Sequence, residues 1–349
     1  MKVDQLETPA VLVDLEILEA NIRDLQVYLG QHGIDNRPHI KTHKVPEIAR
    51  MQLEAGAVGI TCQKLGEAEI MRSAGIQDIF VTYNILGASK LRRLAVLARQ
   101  FPMRVSADSA VVVDGLSRAA QELGFTLSVL VEFDTGLGRC GVQSPSEAVE
   151  LAELIERSPG LGFEGLMTYP LNQHTGPFVE ESARRLTDAG IPLKTVSVGG
   201  THTIRQAHLH SWVTEYRAGM YAYGDRYTVQ TGAMPLERCA LTVVSTVVSR
   251  PTPTRAVVDA GSKSLGTDLL GLDGYAQILE YPTMRVPALS EEHGHCRLSS
   301  PSGRPEVGER VSLLPNHCCL VSNLFDRVYG VRHGEVEREF KVAARGAVT

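Results

Sequence analysis

Residues 37–44 read RPHIKTHK, and this octet places an arginine, two histidines and two lysines where the flanking pattern predicts a buried β-strand. A charged run of this kind is otherwise typical of a solvated surface. Successive side chains of a strand point to opposite faces, so His39, Lys41 and His43 are expected to share one face. If the strand is the first of a barrel, that face is the interior and Lys41 points into an enclosed space.

The chain around this octet repeats a β/α pattern from about residue 35 to about residue 235. Short β-branched runs alternate with segments of helical periodicity such as VPEIARMQLEAG and SPSEAVELAELIERS. The eight strand candidates are RPHIKTH, VGITCQK, IFVTYN, RVSADS, LSVLVEF, GFEGLMTY, TVSVGG and a last one within TEYRAGMYAYG. Eight strands with eight crossovers predict a closed (β/α)8 barrel with its chemistry at the strand C-terminal ends. No GxGxxG follows the first strand, so a dinucleotide-binding fold has no support.

A second domain is predicted after residue 235, where the pattern changes. CALTVVSTVVSRP, TRAVVDAG, ERVSLLPNHCCLV and EVEREFKVAARG are strand-like and are separated by turn signals at PTPT, GLDG and PSGRP. The early ETPAVLVDL is also strand-like and is expected to join them. We therefore predict a barrel over residues 12–235 and a mainly antiparallel β domain formed by residues 1–11 with 236–349.

Composition excludes several classes of protein. The 349 residues carry a net charge of −5, with 43% hydrophobic and 5% aromatic residues, so no basic field exists for nucleic acid. No run approaches the roughly 20 apolar residues of a membrane span, and the first residues carry acids where a signal peptide has an apolar core. The expected location is the cytoplasm. Six cysteines without CxxC spacing predict no disulfide framework.

Lys41 and two glycines together predict a cofactor site. Burial lowers the pKa of a lysine amine, which suits covalent attachment to a carbonyl group, although a salt-bridge lysine is the alternative. SVGGTHT ends the seventh strand with Gly199 and Gly200 before Thr201, so backbone N–H groups can approach an anion at a helix start. Tyr221 follows in the eighth strand. Barrels often bind phosphate with the loops after strands seven and eight, which makes pyridoxal phosphate the predicted cofactor.

The order of motifs along the chain resembles one enzyme family. TPAVLVDLEILEANI, RPHIKTHK, VEFDTGLGRCGV, SVGGT, RAGMYAYGD, DAGSKSL, SEEHGH and PNHCCLVSNLFD are similar to segments of the D-threonine aldolase and D-serine dehydratase family. This resemblance implies an alanine-racemase-like barrel of fold type III that binds pyridoxal phosphate. It also implies that Lys41 carries the cofactor, that Arg139 lies beside its ring hydroxyl, and that the phosphate is held by Gly199, Gly200, Thr201 and Tyr221. Tyr169 ends the sixth strand, where it either flanks the cofactor or packs.

PNHCCL is the second informative motif. His317 and Cys319 are two residues apart, so on an extended segment both face one way while Cys318 faces the other. Imidazole and thiolate suit a divalent metal, zinc or manganese, and two ligands leave positions open for water and substrate. A core cysteine beside a surface histidine is the alternative from spacing alone. The resemblance implies that the family binds its metal at this His-x-Cys or His-x-Asp pair.

The resemblance implies that the substrates are D-3-hydroxy amino acids, and two reactions of such substrates fit the predicted residues. If a base such as His174 takes the proton of the substrate hydroxyl, the Cα–Cβ bond breaks and yields glycine and an aldehyde. If Lys41 removes the α-proton instead, water leaves and a keto acid and ammonia form. We favour the aldolase because the TCQK stretch at residues 61–64 and Gln173-His174 resemble that branch of the family, whereas Cys319 resembles the dehydratase branch.

Other classes of protein stay open. A non-catalytic pyridoxal phosphate protein would lack the second domain and the His-x-Cys pair, and a racemase would need a second acid/base and no metal. A barrel hydrolase would need metal ligands at strand ends, and the His-x-Cys pair is outside the barrel. The resemblance also implies a homodimer whose partner is a second copy of the chain.

Overall fold

The computed structural model describes residues 1–298 and 305–349, so the predicted turn at PSGRP lies largely outside the described residues. The strands in chain order are β1 Ala10–Asp14, β2 Asp35–Asn36, β3 Ile60–Cys62, β4 Ile79–Val81, β5 Met103–Ala107, β6 Leu127–Glu132, β7 Leu161–Met167, β8 Thr195–Gly199, β9 Glu215–Arg217, β10 Leu241–Thr252, β11 Arg255–Val258, β12 Ala276–Ile278, β13 Arg285–Leu289, β14 Gly294–Arg297, β15 Arg310–Pro315, β16 Arg327–Arg332 and β17 Glu335–Lys341.

The α-helices are interspersed with these strands and with short 3₁₀ segments. They are α1 Leu15–Gln31, α2 Pro46–Glu54, α3 Leu65–Ser73, α4 Ala88–Ala98, α5 Ala110–Leu123, α6 Pro145–Glu156, α7 Thr175–Asp188, α8 Arg226–Gln230, α9 Ser262–Leu265 and α10 Cys318–Leu324. Within the described ranges, no helix has both the length and the apolar composition needed to cross a membrane.

The chain divides into two compact units. The barrel unit contains Leu25–Lys41, Ala49–Gly219 and Ala347–Thr349, and the β unit contains Met1–Asp24, Thr42–Ile48 and Met220–Gly346. The domain boundaries inferred from the sequence, at residues 11 and 235, stay a prediction.

The barrel unit contains the predicted eight parallel strands. Their order is β2-β9-β8-β7-β6-β5-β4-β3, and a parallel bridge between His39 and Thr61 joins the two edges of this sheet. His39 donates its backbone N–H to Ala218 O at 2.8 Å, while Thr61 donates to Pro38 O at 2.8 Å, so the ring of strands is closed. Every residue of β3, β4 and β8 is buried, as expected when helices cover the outside of a parallel sheet. The predicted barrel is confirmed.

The first barrel strand, Asp35–Asn36, lies before the predicted segment RPHIKTH, in which His39 forms only an isolated bridge. The expected alternation of side chains is wrong beyond His39. Residues Ile40–Thr42 form a 3₁₀ turn that contains Lys41. The cause is a pair of local bonds that replace strand pairing. The Nδ1 atom of His39 accepts the N–H of Lys41 at 3.4 Å, and Nδ1 of His43 accepts the N–H of Val45 at 3.0 Å. Side-chain acceptors that capture backbone N–H groups two residues later compete with regular structure.

Arg37, the first residue of the octet, is a buried cation in the barrel unit that is paired with carboxylates. Its guanidinium is 1% exposed and binds Glu215 Oε2 through Nε and Asp78 Oδ1 through Nη1, each at 2.6 Å. Arg104 Nη1 is 3.1 Å from the same oxygen of Glu215. A Cβ at Gly59 would collide with the Arg37 guanidinium and lie 2.8 Å from Asp78 Cγ, so only glycine fits there. Such a buried cation is tolerated because carboxylates pair with it.

The β unit contains the predicted antiparallel strands. Its sheet order is β11-β14-β13-β12-β15-β10-β1-β16-β17, and β10 also pairs with β11, so β10 to β15 close a second ring. The early strand β1, within ETPAVLVDL, pairs with β10 in this sheet. The strand predicted through PNHCCLV is wrong after Pro315, because Cys318–Leu324 is helix α10.

Candidate active site

Three of the predicted site residues lie together in the barrel unit. Lys41 is in the turn that follows β2, and its Nζ atom is 5.9 Å from the centroid of the Tyr169 ring. The guanidinium carbon of Arg139 is 5.2 Å from the same centroid. Tyr169 follows β7, at the C-terminal end of the barrel strands where chemistry is expected. Its ring therefore lies beside two cations.

Arg139 is oriented by an acidic partner. Its Nη2 atom is 3.2 Å from Oε1 of Glu132, the buried last residue of β6, and Cys140 Sγ donates to the same oxygen at 3.2 Å. Burial and the Glu132 charge raise the pKa of Cys140 to about 11, so this thiol stays protonated. The loop before Arg139 is shaped by Asp134, whose carboxylate accepts the backbone N–H of Gly136 at 3.1 Å. Arg139 is thus presented on an ordered loop.

His39 and Gln63 form a polar chain that no sequence motif indicated. Nε2 of His39 is 3.1 Å from Gln63 Oε1, and Gln63 Nε2 donates to Thr82 O at 2.8 Å. Since Nδ1 of His39 accepts the Lys41 N–H, its proton is on Nε2 and is donated to Gln63. Burial and the positive charges of Lys41 and Arg217 lower the pKa of His39 well below its ordinary value. A neutral imidazole therefore stands next to Lys41.

The predicted phosphate cradle has the properties of an anion site. Gly200 has φ of +122°, and a Cβ on Gly199 would lie 3.3 Å from Arg217 O and 3.5 Å from the Tyr169 ring. Thr201 begins a 3₁₀ helix and is 3% exposed. Among the described residues, its buried Oγ1 has no hydrogen-bond partner. An unpaired buried hydroxyl at a helix start fits a phosphate oxygen.

Two other predicted residues are in different surroundings. Tyr221 is buried within the 3₁₀ turn Met220–Ala222 of the β unit. His174 precedes helix α7 in the barrel unit and is exposed. Its backbone N–H is held by Asn172 Oδ1 at 2.9 Å, and its ring Nε2 accepts from Gln173 Nε2 at 3.4 Å. An exposed ring at a strand-to-helix loop is accessible to a small molecule.

The His317–Cys319 pair lies in the β unit at the start of α10. His317 is the residue before the helix and Cys319 is in its first turn, so the extended geometry predicted for the pair is wrong. The two side chains are nevertheless neighbours, because Cys319 makes a side-chain hydrogen bond with His317. Burial alone would lower the pKa of His317, but Cys319 and Asp268 raise it to about 9. His317 Nδ1 is 2.7 Å from Asp268 Oδ2, and Cys319 Sγ is 3.3 Å from Thr42 Oγ1.

The donor chemistry of this pair fits a divalent metal. One ring nitrogen of His317 is engaged by a carboxylate, the arrangement that metal-binding histidines commonly show. Across residues 1–298 and 305–349, no cluster of three or more His, Cys, Asp or Glu side chains is arranged to hold a metal ion. A metal here would therefore have few protein ligands and open positions, as catalytic metals do.

The helix start itself depends on a buried carboxylate that sequence reasoning left unassigned. Asp225 Oδ2 accepts the N–H of Cys318 at 3.0 Å, while Oδ1 accepts the N–H of Thr228 at 2.8 Å. The first bond holds the chain where helix α10 begins, and the second caps helix α8. The motif RAGMYAYGD contained Asp225, but only the fold brings it to Cys318, 93 residues later.

Comparisons with known proteins identify the class of protein. The family model described as "Alanine racemase, N-terminal domain" matches residues 13–227, and the model described as "Putative serine dehydratase domain" matches residues 240–331. The barrel and the antiparallel β unit are the two parts of the alanine-racemase-like architecture, which confirms the predicted fold class. This chain belongs to the alanine racemase N-terminal domain family.

The relatives and solved structures that are similar to this chain include aldolases and a dehydratase. The chain is 36% identical to a D-threonine aldolase of Arthrobacter sp over 98% of this chain and 93% of the relative. A D-threonine aldolase crystal structure from Filomicrobium marinum has a TM-score of 0.94 and 31% identity, covering 100% of this chain and 98% of that chain. A D-threo-3-hydroxyaspartate dehydratase, as a cysteine-to-alanine mutant in the metal-free form, has a TM-score of 0.87 and 26% identity over 98% of both chains. The resemblance inferred from the motifs is confirmed.

Proposed function

We propose that this protein is a pyridoxal-phosphate-dependent lyase that cleaves D-3-hydroxy amino acids to glycine and an aldehyde. The observation that carries the proposal is the similarity to a D-threonine aldolase along 98% of the chain at 36% identity. The barrel unit supports it, because Lys41 and Arg139 lie near one tyrosine ring, and Thr201 has a buried hydroxyl that finds no partner among residues 1–298 and 305–349.

The cofactor would be held by residues at the barrel's C-terminal end. Lys41 would bind it covalently and Arg139 would lie beside its ring hydroxyl, with the Tyr169 ring near both side chains. Its phosphate would be held by Gly199, Gly200, Thr201 and Tyr221. When bound, pyridoxal phosphate supplies an electron sink for the bonds at the substrate α-carbon.

The residues of the chain would then move two protons. His174 would take the proton of the substrate β-hydroxyl, so that the Cα–Cβ bond breaks as the aldehyde carbonyl forms. The Lys41 amine would return a proton to the α-carbon and complete glycine. A positioned base of this kind contributes about 10²- to 10⁴-fold to a rate. The exposed position of His174 leaves its ring accessible for this role.

His317 and Cys319 would hold a divalent metal, and we propose zinc rather than manganese. Thiolate is a soft ligand that favours zinc, whereas manganese prefers oxygen ligands. The metal would supply Lewis acidity toward the substrate oxygen.

Dehydration is the second candidate function, and the cysteine favours it. The similar D-threo-3-hydroxyaspartate dehydratase is described in a metal-free form as a cysteine-to-alanine mutant, and Cys319 offers a thiol here. In this reaction Lys41 would remove the α-proton, the hydroxyl would leave as water, and the released enamine would hydrolyse to a keto acid and ammonia.

Product analysis by mass spectrometry distinguishes the two reactions. Purified protein is mixed with pyridoxal phosphate, Zn²⁺ and either D-threonine, D-serine or D-3-hydroxyaspartate, with the L-forms as controls. We expect glycine and acetaldehyde from D-threonine, abolished by Lys41→Ala and unchanged by Lys194→Ala, which alters an exposed lysine. A keto acid with ammonia would assign the dehydratase, and racemised substrate or no product with the cofactor bound would contradict a lyase.

Two expectations accompany this function. The protein is proposed to be a homodimer, which light scattering of the purified chain would test. It is also proposed to act in the cytoplasm, which fractionation of the source cells would test.

A further inference from the structure

We propose that Asp268 is a positioning residue for His317: its carboxylate fixes the imidazole so that Nε2 is the nitrogen offered to the divalent metal. This role rests on the metal site of the proposed function. The observation that carries it is the 2.7 Å contact between Asp268 Oδ2 and His317 Nδ1. At this distance Nδ1–H donates to the carboxylate, so Nε2 is the ring nitrogen left to bind a metal.

Asp268 is itself held in place by the residue that precedes His317. Asn316 is 2% exposed, and its Nδ2 donates to the backbone oxygens of Asp268 and Gly274, each at 2.9 Å. Arg226 Nη1 donates to Asn316 Oδ1 at 2.7 Å, so both ends of the amide are engaged. The loop that carries the carboxylate is therefore fastened to the segment that carries the imidazole. This arrangement fixes the direction of the His317 ring before any metal arrives.

Cys319 is positioned by a different set of bonds. Asp225 accepts the N–H of Cys318 at 3.0 Å and starts helix α10, in whose first turn Cys319 lies. The Asp268 carboxylate makes none of these bonds. Removing the Asp268 carboxylate is therefore expected to release the imidazole and leave the thiol in place. The contribution of Asp268 to metal binding can then be measured separately from that of Cys319.

Asp268 is better explained as an orienting group than as a third ligand. Its carboxylate oxygen is already used by His317 Nδ1, and within the described part of the chain no three His, Cys, Asp or Glu side chains converge on a metal position. Orienting carboxylates of this type typically change metal affinity by about 10- to 100-fold when they are removed.

The test is zinc affinity, measured on the full-length protein loaded with pyridoxal phosphate by competition with a chromogenic chelator. Asp268→Ala is expected to weaken zinc binding by about 10- to 100-fold. Asp268→Asn should weaken it less, because the amide oxygen can still accept from Nδ1. Asp273→Ala is the matched control, since this carboxylate of the same segment is 83% exposed, and it should leave the affinity unchanged.

Cobalt spectroscopy provides a second readout that does not depend on activity. With saturating Co²⁺, Asp268→Ala should keep the thiolate-to-metal charge-transfer band, because Cys319 remains a ligand. Unchanged zinc affinity in Asp268→Ala, together with a large loss in His317→Ala, would overturn the positioning role and leave the metal site intact. An equal loss in Asp268→Asn and Asp268→Ala would also overturn it. Unchanged affinity in both His317→Ala and Cys319→Ala would overturn the metal site of the proposed function as well.

Discussion

Acidification from pH 7 to pH 5 should destabilise this protein through His39. The ring is 6% exposed, Nδ1 accepts the Lys41 N–H, and Nε2–H donates to Gln63. Burial and the nearby charges of Lys41 and Arg217 lower its pKa well below the ordinary value. The folded protein therefore keeps this imidazole neutral at pH values where the unfolded chain protonates it.

The magnitude follows from the linkage between proton binding and folding. Where the unfolded state binds more protons, stability falls as the pH falls, beginning near the unfolded histidine pKa of about 6.5. If the folded ring stays neutral at pH 5, His39 alone removes about 2 kcal/mol from the free energy of unfolding relative to high pH. The loss continues down to the folded-state pKa and then stops.

Urea denaturation at pH 7 and pH 5, on cofactor-free protein, measures this effect. His39→Asn is the informative variant, because an asparagine oxygen can accept the Lys41 N–H but does not titrate. We expect this variant to lose about 2 kcal/mol less than the parent protein between the two pH values. His333→Asn is the control, since its ring is 77% exposed and its φ of +51° suits asparagine. An acid-induced loss equally large in His39→Asn and in the parent would refute the reasoning.

Three further predictions concern single residues. Glu215→Gln should lower the free energy of unfolding by about 2 kcal/mol or more, measured by urea denaturation, because only Asp78, whose side chain is 49% exposed, then balances the buried Arg37 guanidinium; an effect below about 1 kcal/mol would contradict this. Thr201→Val should weaken pyridoxal phosphate binding by about tenfold or more in an absorbance titration, while Thr201→Ser should retain it, and equal binding by both would remove Thr201 from the phosphate site. His174→Asn should lower the rate of D-threonine cleavage by about 10²-fold or more without changing cofactor affinity, as steady-state kinetics would show; an unchanged rate would exclude it as the base.

The barrel could be predicted because parallel strands covered on both faces leave a strong sequence signal. Runs such as IFV at residues 79–81 are wholly buried, and their regular spacing gave the number of strands. The turn at Lys41 could not be predicted in this way. It depends on two histidine side chains that bind backbone N–H groups, and such bonds have no periodic signature.

The candidate site also contains residues that the sequence could predict and residues that it could not. Lys41 and Tyr169 were predicted because each lies at a predicted strand end, whereas Arg139 was predicted from the family resemblance alone. Gln63 and Asp268 were not assigned, because their roles depend on contacts with His39 and His317 that only the fold creates. Asp268 is 49 residues from His317 in sequence, and no spacing rule connects an aspartate in a loop with a histidine before a helix. The apolar CCLV segment is likewise strand-like in sequence, but the Asp225 carboxylate binds the N–H of Cys318, where helix α10 begins.

The proposed function requires that pyridoxal phosphate is attached to Lys41, and mapping the modified side chain tests this directly. Purified protein incubated with pyridoxal phosphate is reduced with borohydride, which makes the attachment permanent, and is then digested and mapped by tandem mass spectrometry. We expect the phosphopyridoxyl group on Lys41 and its absence from Lys41→Ala. Labelling of Lys44 or Lys64 instead, or of no single lysine, would contradict it.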